Sequence, residues 1–132
     1  MTENPRPQQF MHRVLVVEDD YELADLLSEV LTYENCTCEV VSNGMEALEK
    51  LRGADFDAII CDLMMPKMDG EALYQEVERV YPYLANKFLF VGPTAASRGG
   101  LGDFVYRTEN TLLEKPFEMD TLRAALVDLF NR

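Results

Sequence analysis

Short, unbroken apolar runs limit the folds open to this chain more than any other feature. They are Val14-Leu15-Val16-Val17, the run Ala58-Ile59-Ile60-Cys61, and Phe88-Leu89-Phe90-Val91. Each is continuous rather than alternating, as expected of a strand covered on both faces in a parallel sheet. The first stops at Glu18-Asp19-Asp20 and the second at Asp62. In open α/β sheets the carboxyl ends of the strands are where ligands bind. Pro66 forbids the second strand from continuing, and Asp69-Gly70 reads as a loop whose aspartate caps the next helix. Asp62 is thereby placed at the edge of a pocket.

Between these runs the periodicity changes to helical. Leu23, Leu26, Leu27, Val30 and Leu31 form one stripe, with Asp20 as the preceding cap. A short strand follows over Thr37 to Val41. Ser42-Asn43-Gly44 then opens a second helix, with Glu46 three residues after Asn43 as in a capping box. Ala47, Leu48 and Leu51 face inward, and Gly53 ends it. The central strand covers about Phe56 to Cys61. A third helix runs from about Gly70 to Val80, burying Leu73, Val77 and Val80, and Pro82 closes it. The segment Arg98 to Thr108 carries Gly99, Gly100 and Gly102, each costing about 1 kcal/mol against alanine inside a helix. Its helix is therefore confined to about Asp103 to Thr108. Leu112 to Phe117 hold a fifth strand and its exit, and Leu122, Ala125, Leu126, Leu129 and Phe130 line a last helix. Strands alternating with helices predict a doubly wound α/β domain of five parallel strands, order 2-1-3-4-5, with helices on both faces.

The 132 residues suit a single domain. No run approaches the roughly 18 apolar residues of a membrane span, and the polar start is no signal peptide. Residues 1–12 are expected to form a flexible tail, with His12 inert, and residues 13–132 the domain. A net charge of −12 argues against nucleic-acid binding and is compatible with metal ions or a basic protein partner. Cys36, Cys38 and Cys61 have neither metal-ligand nor redox spacing. They read as reduced, structural thiols of a cytoplasmic protein.

Strands one, three and five end at Glu18 and Asp19, at Asp62 and at Lys115. In the order 2-1-3-4-5 these ends gather around one crevice. Clustered carboxylates are hard oxygen ligands of the kind Mg2+ prefers. A lysine nearby offsets charge and can grip an anion. Metal and lysine around one carboxylate is what phosphoryl transfer to that carboxylate requires.

On Val14 to Asp20, on Asp62 with Met65-Pro66 and Asp69-Gly70, and on Lys115-Pro116-Phe117, the chain resembles the receiver domains of two-component response regulators, from about Arg13 to the C-terminus. That resemblance implies a flavodoxin-like fold and a place in a two-component system or phosphorelay. It implies Asp62 as phosphoacceptor, with Glu18, Asp19, Asp62 and the backbone carbonyl of Met64 around Mg2+. Lys115 would bind the phosphoryl oxygens, before a cis Lys115-Pro116 bond. The phosphodonor would be a histidine kinase or histidine phosphotransfer protein, and the signal would leave by protein contact from a monomer or weak dimer. Such a domain is no enzyme beyond promoting its own phosphorylation and dephosphorylation. The third aspartate-based reading, a small phosphohydrolase, lacks the second aspartate two residues beyond Asp62, where Met64 stands.

The chain departs from the family in two places. The threonine or serine usual at the end of strand four is Gly92, followed by Pro93, so Thr94 or Ser97 would have to substitute. The aromatic residue usual three before the lysine is Leu112. Both changes fall on the response to phosphorylation rather than on the acceptor. The alternative function is a degenerate receiver that serves as a phosphorylation-independent interaction module. In a working receiver the glycine-rich segment Arg98 to Gly102 is the expected mobile element. Met64, Met65 and Met68 suit either partner contact or loop filling.

Overall fold

The computed structural model describes residues 12–93 and 103–132. Thr94, Ser97 and the segment Arg98 to Gly102 lie outside them, as do residues 1–11 of the expected tail. The strands are β1 (Arg13–Val17), β2 (Thr37–Val41), β3 (Ala58–Asp62), β4 (Phe88–Pro93) and β5 (Thr111–Lys115). Between and after them come α1 (Tyr21–Tyr33), α2 (Gly44–Gly53), α3 (Gly70–Val80), α4 (Asp103–Thr108) and α5 (Met119–Phe130). All strand pairs are parallel and the order is β2-β1-β3-β4-β5, as the sequence predicts. No helix among the described residues is long and apolar enough to cross a membrane.

Strand side chains alternate between two cores. Val14, Val16, Ala58, Ile60, Leu89, Val91 and Leu113 pack under α1 and α5. Leu15, Val17, Ile59, Cys61, Phe88 and Phe90 pack under α2, α3 and α4. The central strand is buried at every position and lies between β1 and β4, which explains its continuous apolar run. It begins two residues later than Phe56 and takes in Asp62 itself. Asp62 pairs with Val91, and Val17 with Cys61, so the ends of β1, β3 and β4 lie in line.

Each predicted cap forms. Asp20 accepts the amides of Glu22 and Leu23, and Asp69 that of Ala72. Asn43 accepts the amide of Glu46, whose side chain reaches back to the amide and hydroxyl of Ser42 rather than to Asn43. Two stripe residues are displaced outward. Leu26 is 37% exposed and Val80 45%, while Ala24 and Tyr74 are buried instead. Helices against a sheet bury a narrower face than periodicity alone marks, and Val80 stands in the last turn before Pro82. His12 is not part of a loose tail: its ring stacks on Phe130 at 4.3 Å, and its carbonyl accepts the amide of Thr37. The cysteines are unpaired, with Cys36 and Cys61 buried and Cys38 half-buried.

Candidate functional site at the carboxyl ends of the strands

The three acidic residues after β1 have separate fates. Glu18 stays in the sheet's plane, its amide donating to Val41 O, and is only 3% exposed. One carboxylate oxygen, Oε2, accepts the Asp20 amide at 3.2 Å, while Oε1 is buried with no hydrogen-bond partner. Asp19 is exposed. Asp20 is occupied as the cap of α1. Asp62, 5% exposed, ends β3. Its Oδ1 accepts the Met64 amide at 3.1 Å and its Oδ2 lies 3.5 Å from Lys115 Nζ. Carboxylate oxygens of Glu18, Asp19 and Asp62 all fall within 4.8 Å of one another.

Such crowding has an electrostatic consequence. Burial first, and then the neighbouring Asp62 carboxylate, push the Glu18 carboxyl up from 4.5 to about 8. Its hydrogen bond from the Asp20 amide and the charge of Lys115 oppose this only partly. Two adjacent carboxylates with an orphaned buried oxygen are poorly satisfied by protein alone. The donor set is all oxygen, partly charged and open on the Asp19 side. It fits a hard divalent cation such as Mg2+ that keeps several waters.

The loop after β3 is built to hold Asp62 from behind. The Leu63 amide donates to Val91 O and the Gly70 amide to Leu63 O. Met68 N–H donates to Pro66 O across Lys67, a γ-turn with φ 70° at its centre. Gly70 is needed by close approach: a Cβ there would lie 2.9 Å from the Asp62 carbonyl oxygen. The sequence marked Asp69-Gly70 as a turn but gave no sign of that contact. Met64 is exposed at the mouth, whereas Met65 and Met68 pack partly on the core. Lys115 closes β5, and the Lys115-Pro116 bond is cis, as the resemblance implies.

The residues at which the chain departs from the resemblance lie on β4 and β5. Gly92 lies on β4 one residue past the partner of Asp62 and opposite Glu114, and Pro93 opposite Lys115. Neither brings a hydroxyl. Leu112 packs partly on the core. Beneath α4 an aromatic cluster that periodicity did not single out joins Tyr74, Phe88, Phe90 and Phe104, with Phe90 and Phe104 edge-to-face at 5.1 Å. Tyr74, three residues before Val77 on the buried face of α3, was the available signal.

Known proteins resemble this chain in sequence and fold. The family model for the response regulator receiver domain matches residues 14–127. The transcriptional regulatory protein TcrA of Mycobacterium tuberculosis is 32% identical over 125 residues, which cover 91% of this chain and 46% of that protein. The transcriptional regulatory protein GlrR of Escherichia coli is 32% identical over 122 residues, covering 90% of the chain and 26% of the relative. The chain therefore spans less than half the length of either relative. Among solved structures, a response regulator described as putative from Chloroflexus aurantiacus superposes with a TM-score of 0.81 at 27% identity, covering 92% of this chain and 99% of that one. Response regulator TrrA of Thermotoga maritima, solved in complex with Mg2+ and BeF, does so at 0.77 and 27% identity, covering 90% and 99%. By sequence over most of its length, by sheet order and by the acidic cluster at its strand ends, the chain belongs to the response regulator receiver domain family.

Proposed function

We propose that this receiver domain accepts a phosphoryl group on Asp62 from the phosphohistidine of a histidine kinase or histidine phosphotransfer protein. The observation that carries the reading is the buried, unpartnered Oε1 of Glu18 beside the Asp19 and Asp62 carboxylates, with Lys115 Nζ 3.5 Å from Asp62. A cation belongs among those oxygens, and an anion belongs between that cation and the lysine. Mg2+ held by Glu18, Asp19, Asp62 and the Met64 carbonyl would supply positive charge at the transferring oxygens.

The chain's own groups account for the rest. A carboxylate oxygen of Asp62 forms the bond to phosphorus as the phosphorus–nitrogen bond breaks. The leaving imidazole keeps the electron pair and takes a proton from solvent. The Met64 amide on Oδ1 fixes the orientation of the attacking group. Lys115, whose side chain is 32% exposed, stands where it can neutralise the incoming phosphoryl oxygens. Beside it a shallow depression of about 480 Å³ runs between Asp20, Glu22, Leu23 and Leu26 on one side and Lys115, Pro116 and Phe117 on the other. Its apolar floor and acidic rim suit the approach of a partner that carries basic side chains.

The signal then leaves by protein contact. The relatives are named as transcriptional regulators; a net charge of −12 makes these residues themselves a poor DNA surface. In the working receiver Thr94 is the candidate substitute hydroxyl; Gly92 at the end of β4 supports a second reading, the interaction module that no longer responds to phosphate. Intact mass after incubation with a small phosphodonor and Mg2+ tests the acceptor, and partner binding unchanged by the adduct would favour the second reading. One phosphoryl adduct on wild type, absent in Asp62→Asn and with chelator, is expected. No adduct on wild type under excess donor, and none from a cognate kinase, would overturn the phosphoacceptor reading.

A further inference from the structure

We propose that Gly44, which lies outside the acidic cluster, is a positioning residue that clamps the loop after β3 and so holds the Met64 carbonyl in place. The proposal rests on the reading that this carbonyl is a metal ligand. Gly44 opens α2, where glycine is among the poorest helix formers. Capping does not require it, since Asn43 and Glu46 complete the cap with their own side chains and Ser42. Gly53, at the other end of the same helix, has nothing within 4 Å of an added Cβ. At Gly44 an added Cβ would lie 2.7 Å from Met68 Cγ and 2.8 Å from both Met68 Cβ and Met68 O. Its N–H, one of the first helical donors that lack an intrahelical acceptor, donates to Met68 O at 3.3 Å.

Met68 is the far side of the γ-turn centred on Lys67. The other anchors of this loop are Leu63 on Val91 and Gly70 on Leu63. Between them stand Met64, Met65, Pro66 and Lys67, and the Met64 amide holds Asp62 Oδ1. The tie at Gly44 therefore adds a backbone bond from α2 between the backbone bonds at the loop's two ends, beside the packing of Met65 and Met68 on the core. An alanine there must displace Met68, including its backbone oxygen, and the turn moves with it. Residues that hold a ligand in place without touching the metal typically matter to metal affinity by 10- to 100-fold on substitution.

The test uses backbone amide NMR of the metal-free protein together with calorimetric titration of MgCl2. Gly44→Ala is expected to shift the amide signals of Met64 to Asp69 without metal and to weaken Mg2+ binding about tenfold. Gly53→Ala, in open space, should leave both unchanged. Adding Met68→Gly to Gly44→Ala removes two of the three close contacts and should recover part of the lost affinity. Unmoved loop amides in Gly44→Ala, or an unchanged Mg2+ affinity, would overturn the clamp. Wild type that binds no Mg2+ while Gly44→Ala still shifts the loop would refute the metal reading and leave the clamp standing. Should Gly44→Ala not fold, the double variant is compared with Met68→Gly alone: the remaining contact with Met68 O still predicts weaker binding, and equal affinity would refute it.

Discussion

Replacing Glu18 with glutamine should raise the stability of the metal-free protein at alkaline pH while weakening its binding of Mg2+. Glu18 is 3% exposed, and one of its oxygens has no partner. Its folded carboxyl is raised from 4.5 to about 8, so the folded state holds the proton more tightly than the unfolded state. The stability due to this group is then full below about pH 4.5 and lost as pH rises through about 8. At about 1.4 kcal/mol per unit, the rise corresponds to at most roughly 5 kcal/mol. Part of that belongs jointly to Asp62, and a glutamine amide must still find partners, so a gain of about 2–4 kcal/mol near pH 9 is expected. Near pH 5 wild type and variant should differ by less than about 1 kcal/mol. Urea denaturation in chelator measures this directly, as a midpoint higher by about 1–2 M at the alkaline pH. Saturating Mg2+ should then stabilise wild type far more than the variant. A variant less stable than wild type at alkaline pH, or a difference independent of pH, would refute the burial argument.

Two further outcomes follow from features away from the strand ends. Arg132, its side chain only 11% exposed, donates to Phe88 O, Asn110 Oδ1 and Thr111 Oγ1, so Arg132→Ala should cost about 2–4 kcal/mol in urea denaturation; a loss near zero would show these bonds to be replaced by water. Burial pushes the Cys36 thiol up to about 11 and that of Cys61 well above its ordinary range. A thiol reagent on native protein should therefore modify Cys38 alone, with Cys36 and Cys61 reacting only after denaturation, as peptide mass mapping would show; rapid labelling of Cys61 in the native state would contradict the packing of β3.

The central strands could be read from the sequence because both their faces are covered, leaving Ile59, Ile60 and Cys61 no reason to alternate with polar residues. Caps were equally plain, since Asp20, Asn43 and Asp69 act within one turn of chain. Features set by distant parts of the chain were hidden. Periodicity could not decide that Ala24 rather than Leu26 would face the sheet. Nor could it tell that Glu18 would be sealed while Asp19 stayed in water, because the Glu18 carboxylate lies beside Asp62, which only the pairing of β1 with β3 brings near it. Arg132 attracted no notice, yet it reaches the starts of β4 and β5. The contact of Gly44 with Met68 joins residues that only the fold brings together.

The stack of His12 on Phe130 places the entry to β1 against the exit of α5. Arg132, two residues on, reaches Phe88 and Thr111, the first residues of β4 and β5. The entry to β1 and the exit of α5 thus meet at the amino-terminal edge of the sheet, opposite Asp62. Neighbouring ends of this kind favour circular permutation and domain insertion. The unit could be spliced into a host loop at a single point, or carry a reporter at either end, with its acidic cluster facing away from the junction.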